Sequence, residues 1–301
     1  MTSQSLVWPN FFIVGAVKCG TTSLYKHLKS HPHVFLPDVK EPGYFAEVLK
    51  PVPKELVALH CPGDLVGYQR LFEGALDYSA IGDASPSYLV DEGASRRIYE
   101  ASPKARIIVM LRDPVERAYS HYLLKVQEGV ERRPFLEALQ KEYSRKQKGW
   151  WTSQWYVEMG MYSAQVRRYL ELFGREQVAV FLFDDLKRDP EGLFSHVARH
   201  IGVDPNLVEK IEVQKVHNPY KVPRSRTFFR LASLLSPRVR HALLPASVRW
   251  RLYNSKLLFN MEKPPQGDDS KLFLQAIYEP EVSKLEELLG RKMPELRKSW
   301  V

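Results

Sequence analysis

Cysteine is nearly absent: the 301 residues hold two, Cys19 and Cys61. That is too few for an extracellular disulfide framework, and their spacing fits no zinc-ligand pattern, so a reducing compartment, the cytoplasm, is expected. Long apolar runs are lacking too. The longest early one, Phe11 to Val17, falls far short of the roughly 20 residues that span a bilayer. Met1 to Asn10 carries no basic residue and no apolar core, which argues against a secretory signal or transit peptide. A soluble chain without stable membrane insertion is the expectation. Internal repeats and low-complexity tracts are also missing.

What remains is an ordinary globular composition, 44% hydrophobic and 26% charged, with 44 Lys and Arg against 35 Asp and Glu for a net charge of +9. A chain this long buries roughly three quarters of its unfolded surface and needs no metal or disulfide staple. Residues 1–301 are therefore read as one domain. The positive surplus is concentrated at about 213–261, where Val213 to Met261 contains ten Lys or Arg, no Asp or Glu, and the interrupting Pro219, Pro223, Pro237 and Pro245. Single-strand binders interleave basic and aromatic residues on a sheet or OB surface, and no such module is visible, so no nucleic-acid partner is expected. The segment reads as a lid facing an anionic small ligand.

Strand and helix signals alternate. Phe11 to Val14, Val34 to Leu36, Ala80 to Asp83, Ile107 to Leu111 and Val178 to Leu182 are short apolar runs of the kind that lie in a parallel sheet. Between them, Thr22 to Ser30, Tyr162 to Phe173 and Glu279 to Leu289 have helical spacing. Asp113-Pro114-Val115-Glu116 predicts a helix from Pro114 to about Gln127, with Asp113 as N-cap, proline at the first helical position and Glu116 completing a capping box. Asp189-Pro190 repeats the device before Leu193 to Ile201. The pattern implies an α/β fold, a three-layer α/β/α sandwich with a mostly parallel central sheet whose ligands bind beyond the strands' carboxyl ends.

Two constellations sit at such ends. The first strand runs into Gly15-Ala16-Val17-Lys18-Cys19-Gly20-Thr21-Thr22-Ser23, a strand-to-helix turn suited to cradle a phosphate on backbone N–H groups and the helix dipole. The glycine spacing is that of a P-loop, yet Thr21 stands where that motif needs lysine. The lysine lies inside the loop, at Lys18, over the bond to be broken at a single 5′-phosphate. After Leu111 comes Arg112, whose fork, with Ser120 two helical turns past the cap, can take a second and separate phosphate. ATP does not have that shape.

Lys18-Cys19-Gly20-Thr21-Thr22-Ser23 resembles the 5′-phosphosulfate loop of the PAPS-dependent sulfotransferases, which use 3′-phosphoadenosine 5′-phosphosulfate. Leu111-Arg112-Asp113-Pro114 through Ser120 resembles their 3′-phosphate motif. Lys40-Glu41-Pro42-Gly43-Tyr44-Phe45, Gly82-Asp83-Ala84-Ser85-Pro86-Ser87-Tyr88 and Gly160-Met161-Tyr162 follow in the family's order, so the likeness spans Phe11 to Val203. It is nearest to the heparan sulfate and carbohydrate branch and its bacterial relatives. The branch's lysine in Glu-Lys-Thr-Pro is replaced by Ala84.

The resemblance implies a P-loop NTPase-like fold, PAPS as donor, PAP as product, no metal, and a small-molecule or saccharide acceptor. It implies Lys18 on the leaving oxygen and Glu41 as base. Cys19, Gly20, Thr21, Thr22 and Ser23 would hold the 5′-phosphate, Arg112 and Ser120 the 3′-phosphate, Arg224 and Ser225 a loop closing over it, and Tyr162 or Trp155 the adenine. His27, His31, His33 and His121 are rival bases, because the cytosolic branch uses histidine. Cys19 fits better as a small filler of the loop than as a nucleophile. A P-loop kinase and a non-enzymatic binder of anionic polymers are the competing classes. PAPS, and not ATP, is expected to raise the melting temperature in a thermal-shift assay; a ligand at a hundredfold its Kd stabilises by about 2.7 kcal/mol.

Overall fold

The computed structural model describes residues 6–47, 64–144, 154–207, 222–223, 259–260 and 263–300. Five strands form one parallel sheet: β1 (Phe11–Gly15), β2 (Val34–Phe35), β3 (Ala80–Ala84), β4 (Arg106–Leu111) and β5 (Val178–Leu182), in the order β2-β3-β1-β4-β5. The three central strands are buried along almost their whole length, as expected of continuous apolar runs covered on both faces. One helical layer pairs α1 (Thr21–Lys29) with the later Pro190–Ile201 helix; the other stacks helices Ala94–Ala101, Tyr162–Phe173 and Asp268–Leu289. This is the layered α/β fold the sequence predicts.

Several boundaries coincide with the sequence signals. The Pro114–Gln127 helix, here α4, begins at the Asp-Pro pair, and Asp113 Oδ1 accepts from the N–H groups of Val115 at 2.8 Å and Glu116 at 3.2 Å. The reciprocal half of the expected capping box is not made: the Glu116 carboxylate turns to Arg112 instead. The last long helix starts at Asp268, well before the expected Glu279, and carries Pro280 in its interior. Helices Leu65–Arg70 (α2), Ala94–Ala101 (α3), Phe135–Tyr143 (α5) and Phe183–Arg188 (α7) were not foreseen. In chain order the remainder are α6 (Tyr162–Phe173), α8 (Pro190–Ile201) and α9 (Asp268–Leu289).

A 3₁₀ segment, Pro294–Trp300, folds back onto the start of α4. There the Ser299 N–H donates to Asp113 Oδ2 at 2.8 Å and the Trp300 indole N–H to Asp113 Oδ1 at 3.3 Å. No helix among the described residues is long and apolar enough to cross a membrane. Ile108 lies in the middle of the sheet, fully buried between β1 and β5. Ile108→Ala is expected to cost about 2–5 kcal/mol of unfolding free energy, measured by urea denaturation at unchanged m-value.

Candidate active site

The strand order places the site. The connection after β1 leads toward β2 on one side, and the one after β4 leads to β5 on the other, so a crevice opens between the carboxyl ends of β1 and β4. The loop after Gly15 and the turn at Arg112 are its two lips. β2 and β3 deliver the segments carrying Glu41 and Ser85 to the same edge of the sheet.

The first lip is built for an anion. Helix α1 has no side-chain cap at its N-terminus and no acid in its first turn, so its leading N–H groups have no partner within the helix. Gly20 occupies the N-cap with φ 87°, and a Cβ there would lie 2.8 Å from both Leu186 and Phe183 side-chain carbons, so only glycine fits. Cys19 is fully buried, its Sγ 3.8 Å from the Tyr162 hydroxyl; burial pushes the thiol up to about 11, which leaves it inert filler. Thr21 is buried, while Thr22 and Ser23 are part-exposed beside it; the Ser23 N–H is already given to the Gly20 carbonyl at 3.0 Å.

Lys18 is part-buried in this loop, and no hydrogen bond or ion pair is made by its ammonium among the described residues. Its pKa is lowered, first by burial and then by the positive charges of Arg112, Lys125 and Lys263, with Glu128 opposing them. Like charges gathered round a half-desolvated ammonium make a strong attractor for a polyanion. Lys125 itself pairs with Glu128 at 2.7 Å.

The second lip differs from expectation. Both Nε and Nη2 of Arg112 already bind Glu116 Oε2, at 3.0 and 2.7 Å, and the guanidinium lies 4.8 Å from the Phe183 ring centroid. The guanidinium is thus oriented on the crevice side but shared with a carboxylate. Ser120 is part-buried on α4, two turns on.

Glu41 is exposed, and its carboxylate accepts from the adjacent Lys40 ammonium. Lys18 and Glu41 share one feature the sequence does not announce: among the described residues they are the two non-glycine residues with positive φ, 70° and 62°. Each costs of order 1–3 kcal/mol, and such residues persist where the surroundings hold them for a purpose.

Beneath Glu41 lies a buried polar network that sequence reasoning missed. Asp83 is fully buried at the end of β3 and accepts three hydroxyl hydrogen bonds: Ser85 at 2.7 Å on Oδ1, Tyr88 at 2.7 Å and Tyr68 at 2.9 Å on Oδ2. Burial raises its pKa to about 6, the three hydroxyls opposing and the Glu41 charge adding to the rise. Tyr68 lies far upstream of the Gly82-to-Tyr88 motif, so only the fold brings it in.

Some expected residues are placed elsewhere. Tyr162, expected at the adenine, is a correction: its ring is 1% exposed in the core, and its hydroxyl donates to the Arg112 carbonyl at 3.0 Å. Trp155 is likewise buried, against Val90 and Met159. His121 is buried edge-on to Tyr156, with burial holding it well below the ordinary imidazole range. His27 is stacked on Phe194 with ring centroids 3.5 Å apart, burial lowering its pKa to about 4. His31 binds the Asp204 carbonyl at 2.9 Å. All three are buried. Arg224, Ser225, Cys61 and nearly all of the basic stretch 213–261 lie outside the described residues. No cluster of three or more His, Cys, Asp or Glu arranged for a metal ion occurs among the described residues.

Comparison with known proteins agrees with this geometry. The family described as "Sulfotransferase domain" matches residues 9–228. Carbohydrate sulfotransferase 15 of Mus musculus is 26% identical over 261 residues, 70% of this chain and 46% of its own length. Bifunctional heparan sulfate N-deacetylase/N-sulfotransferase 4 of Mus musculus is 25% identical over 314 residues, 97% of this chain and 31% of its own. The chain thus spans less than half the length of these two relatives. The crystal structure of a sulfotransferase from Alicyclobacillus acidocaldarius superposes with a TM-score of 0.75 at 32% identity, covering 97% of this chain and 99% of that one.

The relatives overturn the cytoplasmic placement expected above. A Dictyostelium discoideum relative, 30% identical over 125 residues, 40% of this chain and 24% of its own, is by name membrane-associated. Scarcity of cysteine therefore does not fix the compartment.

Asp83 yields a signed test. Its folded pKa of about 6 exceeds the ordinary 3.8, so the folded state binds more protons between those values and stability falls as pH rises through that window. In Asp83→Asn this contribution is gone. The slope of Tm against pH over the window is expected to be more negative in the wild type than in Asp83→Asn, read by calorimetry.

Proposed function

The chain belongs to the sulfotransferase domain family, and from that premise we propose that it moves a sulfuryl group from PAPS to a hydroxyl, or less readily an amine, of a saccharide or small-molecule acceptor. The observation that carries this is the pairing of an uncapped helix N-terminus with a part-buried, cation-surrounded Lys18 at the switch point of the sheet. Such a site fits a donor whose anionic groups must be held while one P–O–S bridge is cleaved. We further read the chain as one catalytic domain: β1 to β5 supply the floor, and α9 packs on α6 behind it. The kinase reading lacks its P-loop lysine, and the polymer-binder reading leaves the crevice unexplained.

PAPS supplies an activated sulfuryl group on a good leaving phosphate, so the protein's part is positioning and charge. The first-turn amides at Thr21 and Thr22, and the Thr22 and Ser23 hydroxyls, hold the 5′-phosphate. Lys18 places its ammonium at the bridging oxygen, where negative charge builds as the bond opens. Its lowered pKa keeps the ammonium a ready proton or hydrogen-bond donor. Arg112, sharing its fork with Glu116, and Ser120 hold the 3′-phosphate. Glu41 accepts the proton of the attacking acceptor hydroxyl. Lys40 sits beside it and keeps a cation at the acceptor side, in accord with the acidic saccharides named in the heparan sulfate relatives.

Two variants separate these roles. Lys18→Ala is expected to remove transfer activity while the fold survives. Glu41→Gln is expected to lower kcat by about 10²–10⁴-fold with PAP affinity kept, measured by PAP release and by titration calorimetry. Full activity in Lys18→Ala would refute the assignment.

A further inference from the structure

The segment carrying Glu41 is not held by its own secondary structure. It leaves β2, turns through the left-handed conformation at Glu41 and runs to Glu47 without entering a helix or strand. Its backbone is instead suspended from the β3 end. The Gly43 N–H donates to Ser85 Oγ at 3.0 Å, and the Phe45 N–H to the Tyr88 hydroxyl at 3.4 Å. Both hydroxyls pass their own protons to Asp83, Ser85 at 2.7 Å and Tyr88 at 2.7 Å. Further along, the Glu47 N–H donates to Asp91 at 2.6 Å and the Arg97 Nε to the Phe45 carbonyl at 2.8 Å.

We propose that Ser85, oriented by Asp83, is a positioning residue that fixes the Gly43 amide and so holds Glu41 in the strained turn from which it takes the acceptor's proton. The inference rests on the reading of Glu41 as base. A hydroxyl flanked by an amide donor on one side and a carboxylate acceptor on the other has a single proton direction, and both partners are buried. That direction leaves an Oγ lone pair for Gly43, two residues from Glu41. Without it, the anchor nearest to Glu41 among these backbone hydrogen bonds is lost, and the turn with its unfavourable φ of 62° relaxes toward ordinary backbone. The Arg112 lip is untouched by this network, so donor binding and base positioning are separable.

The test uses Ser85→Ala, Ser85→Thr, Glu41→Gln and the Ser85→Ala/Glu41→Gln double variant of the whole chain. PAPS serves as donor and desulfated heparan sulfate as acceptor probe. Ser85→Ala is expected to lower kcat by about 10²-fold, the scale of a misplaced catalytic group, with PAP affinity at the wild-type value. Ser85→Thr, which keeps the hydroxyl, is expected to restore kcat, and Ser85→Ala to add little in the Glu41→Gln background. Independently of any acceptor, amide hydrogen exchange in a peptide covering 40–47 is expected to accelerate in Ser85→Ala and return to normal in Ser85→Thr, while exchange over 15–24 stays unchanged. Unchanged exchange over 40–47 in Ser85→Ala overturns the proposal, as does PAP affinity falling in step with kcat or a full extra loss in the double variant. An impaired Glu41→Gln beside an unimpaired Ser85→Ala refutes the positioning role alone. Wild-type kcat in Glu41→Gln refutes the base assignment, and the positioning role with it.

Discussion

Like charges collected where solvent is thinned are the constraint around which this molecule is arranged. Lys18 sits half out of water with Arg112, Lys125 and Lys263 acting on it, and the N-terminus of α1 points into the same crevice without a capping side chain. Folded proteins pair a buried ammonium or lower its pKa. Here the second course is taken, so the site has an unmet demand for anions. Both Lys18 and Arg112 stand at the carboxyl ends of β1 and β4, where the connections part. Glu116 and Glu128 moderate it locally, each tied to one cation. Neither reaches the Lys18 ammonium as an ion pair.

The β3 side of the sheet's carboxyl edge works by hydrogen bonds rather than by field. A carboxylate sealed under Tyr68, Tyr88 and Ser85 keeps the hydroxyls pointed one way, and the hydroxyls keep two backbone amides of the Glu41 segment in place. A buried carboxylate with three donors is fully satisfied, which makes such a network rigid rather than merely tolerated. The two left-handed residues, Lys18 and Glu41, follow β1 and β2 at the carboxyl edge of one sheet and are held by different physics. One is fastened by a glycine-limited loop pressed against Phe183 and Leu186, the other by a hydroxyl relay.

Much of this was legible in the residues. Val178–Leu182 and the helices Pro114–Gln127 and Tyr162–Phe173 have the bounds that their apolar spacing and Asp-Pro start predict. Continuous burial and an N-cap are local signals. Three of the four helices that escaped notice start without one: Ala94–Ala101 follows Gly93, Phe135–Tyr143 follows Pro134, and Phe183–Arg188 issues straight from β5 with Leu182 at its cap; the fourth, Leu65–Arg70, is capped by Asp64 but is only six residues long. The helix whose apolar spacing was read over Glu279–Leu289 starts at Asp268 and runs through Pro280. Within the site, the place of Lys18 in the turn between β1 and α1 was readable from the residues, whereas the burial of Tyr162 and His27 was not. Nor was the partnership of Tyr68 with Asp83, which depends on which segments the sheet order makes neighbours. The Arg112–Glu116 pair shows the limit of motif reading, because Glu116, expected to complete a capping box, binds Arg112, whose guanidinium also lies against Phe183.

The clasp of Ser299 and Trp300 on Asp113 spans 186 and 187 positions of chain. A contact of such long sequence separation closes late in folding, after the loop entropy between its ends has been overcome. Emerging from a ribosome, the polypeptide can assemble its sheet and the first lip of the cleft while the cap of α4 still lacks these two donors. The turn bearing Arg112 therefore receives these two donors only once a segment 186 positions further along the chain has been made and has folded back onto it.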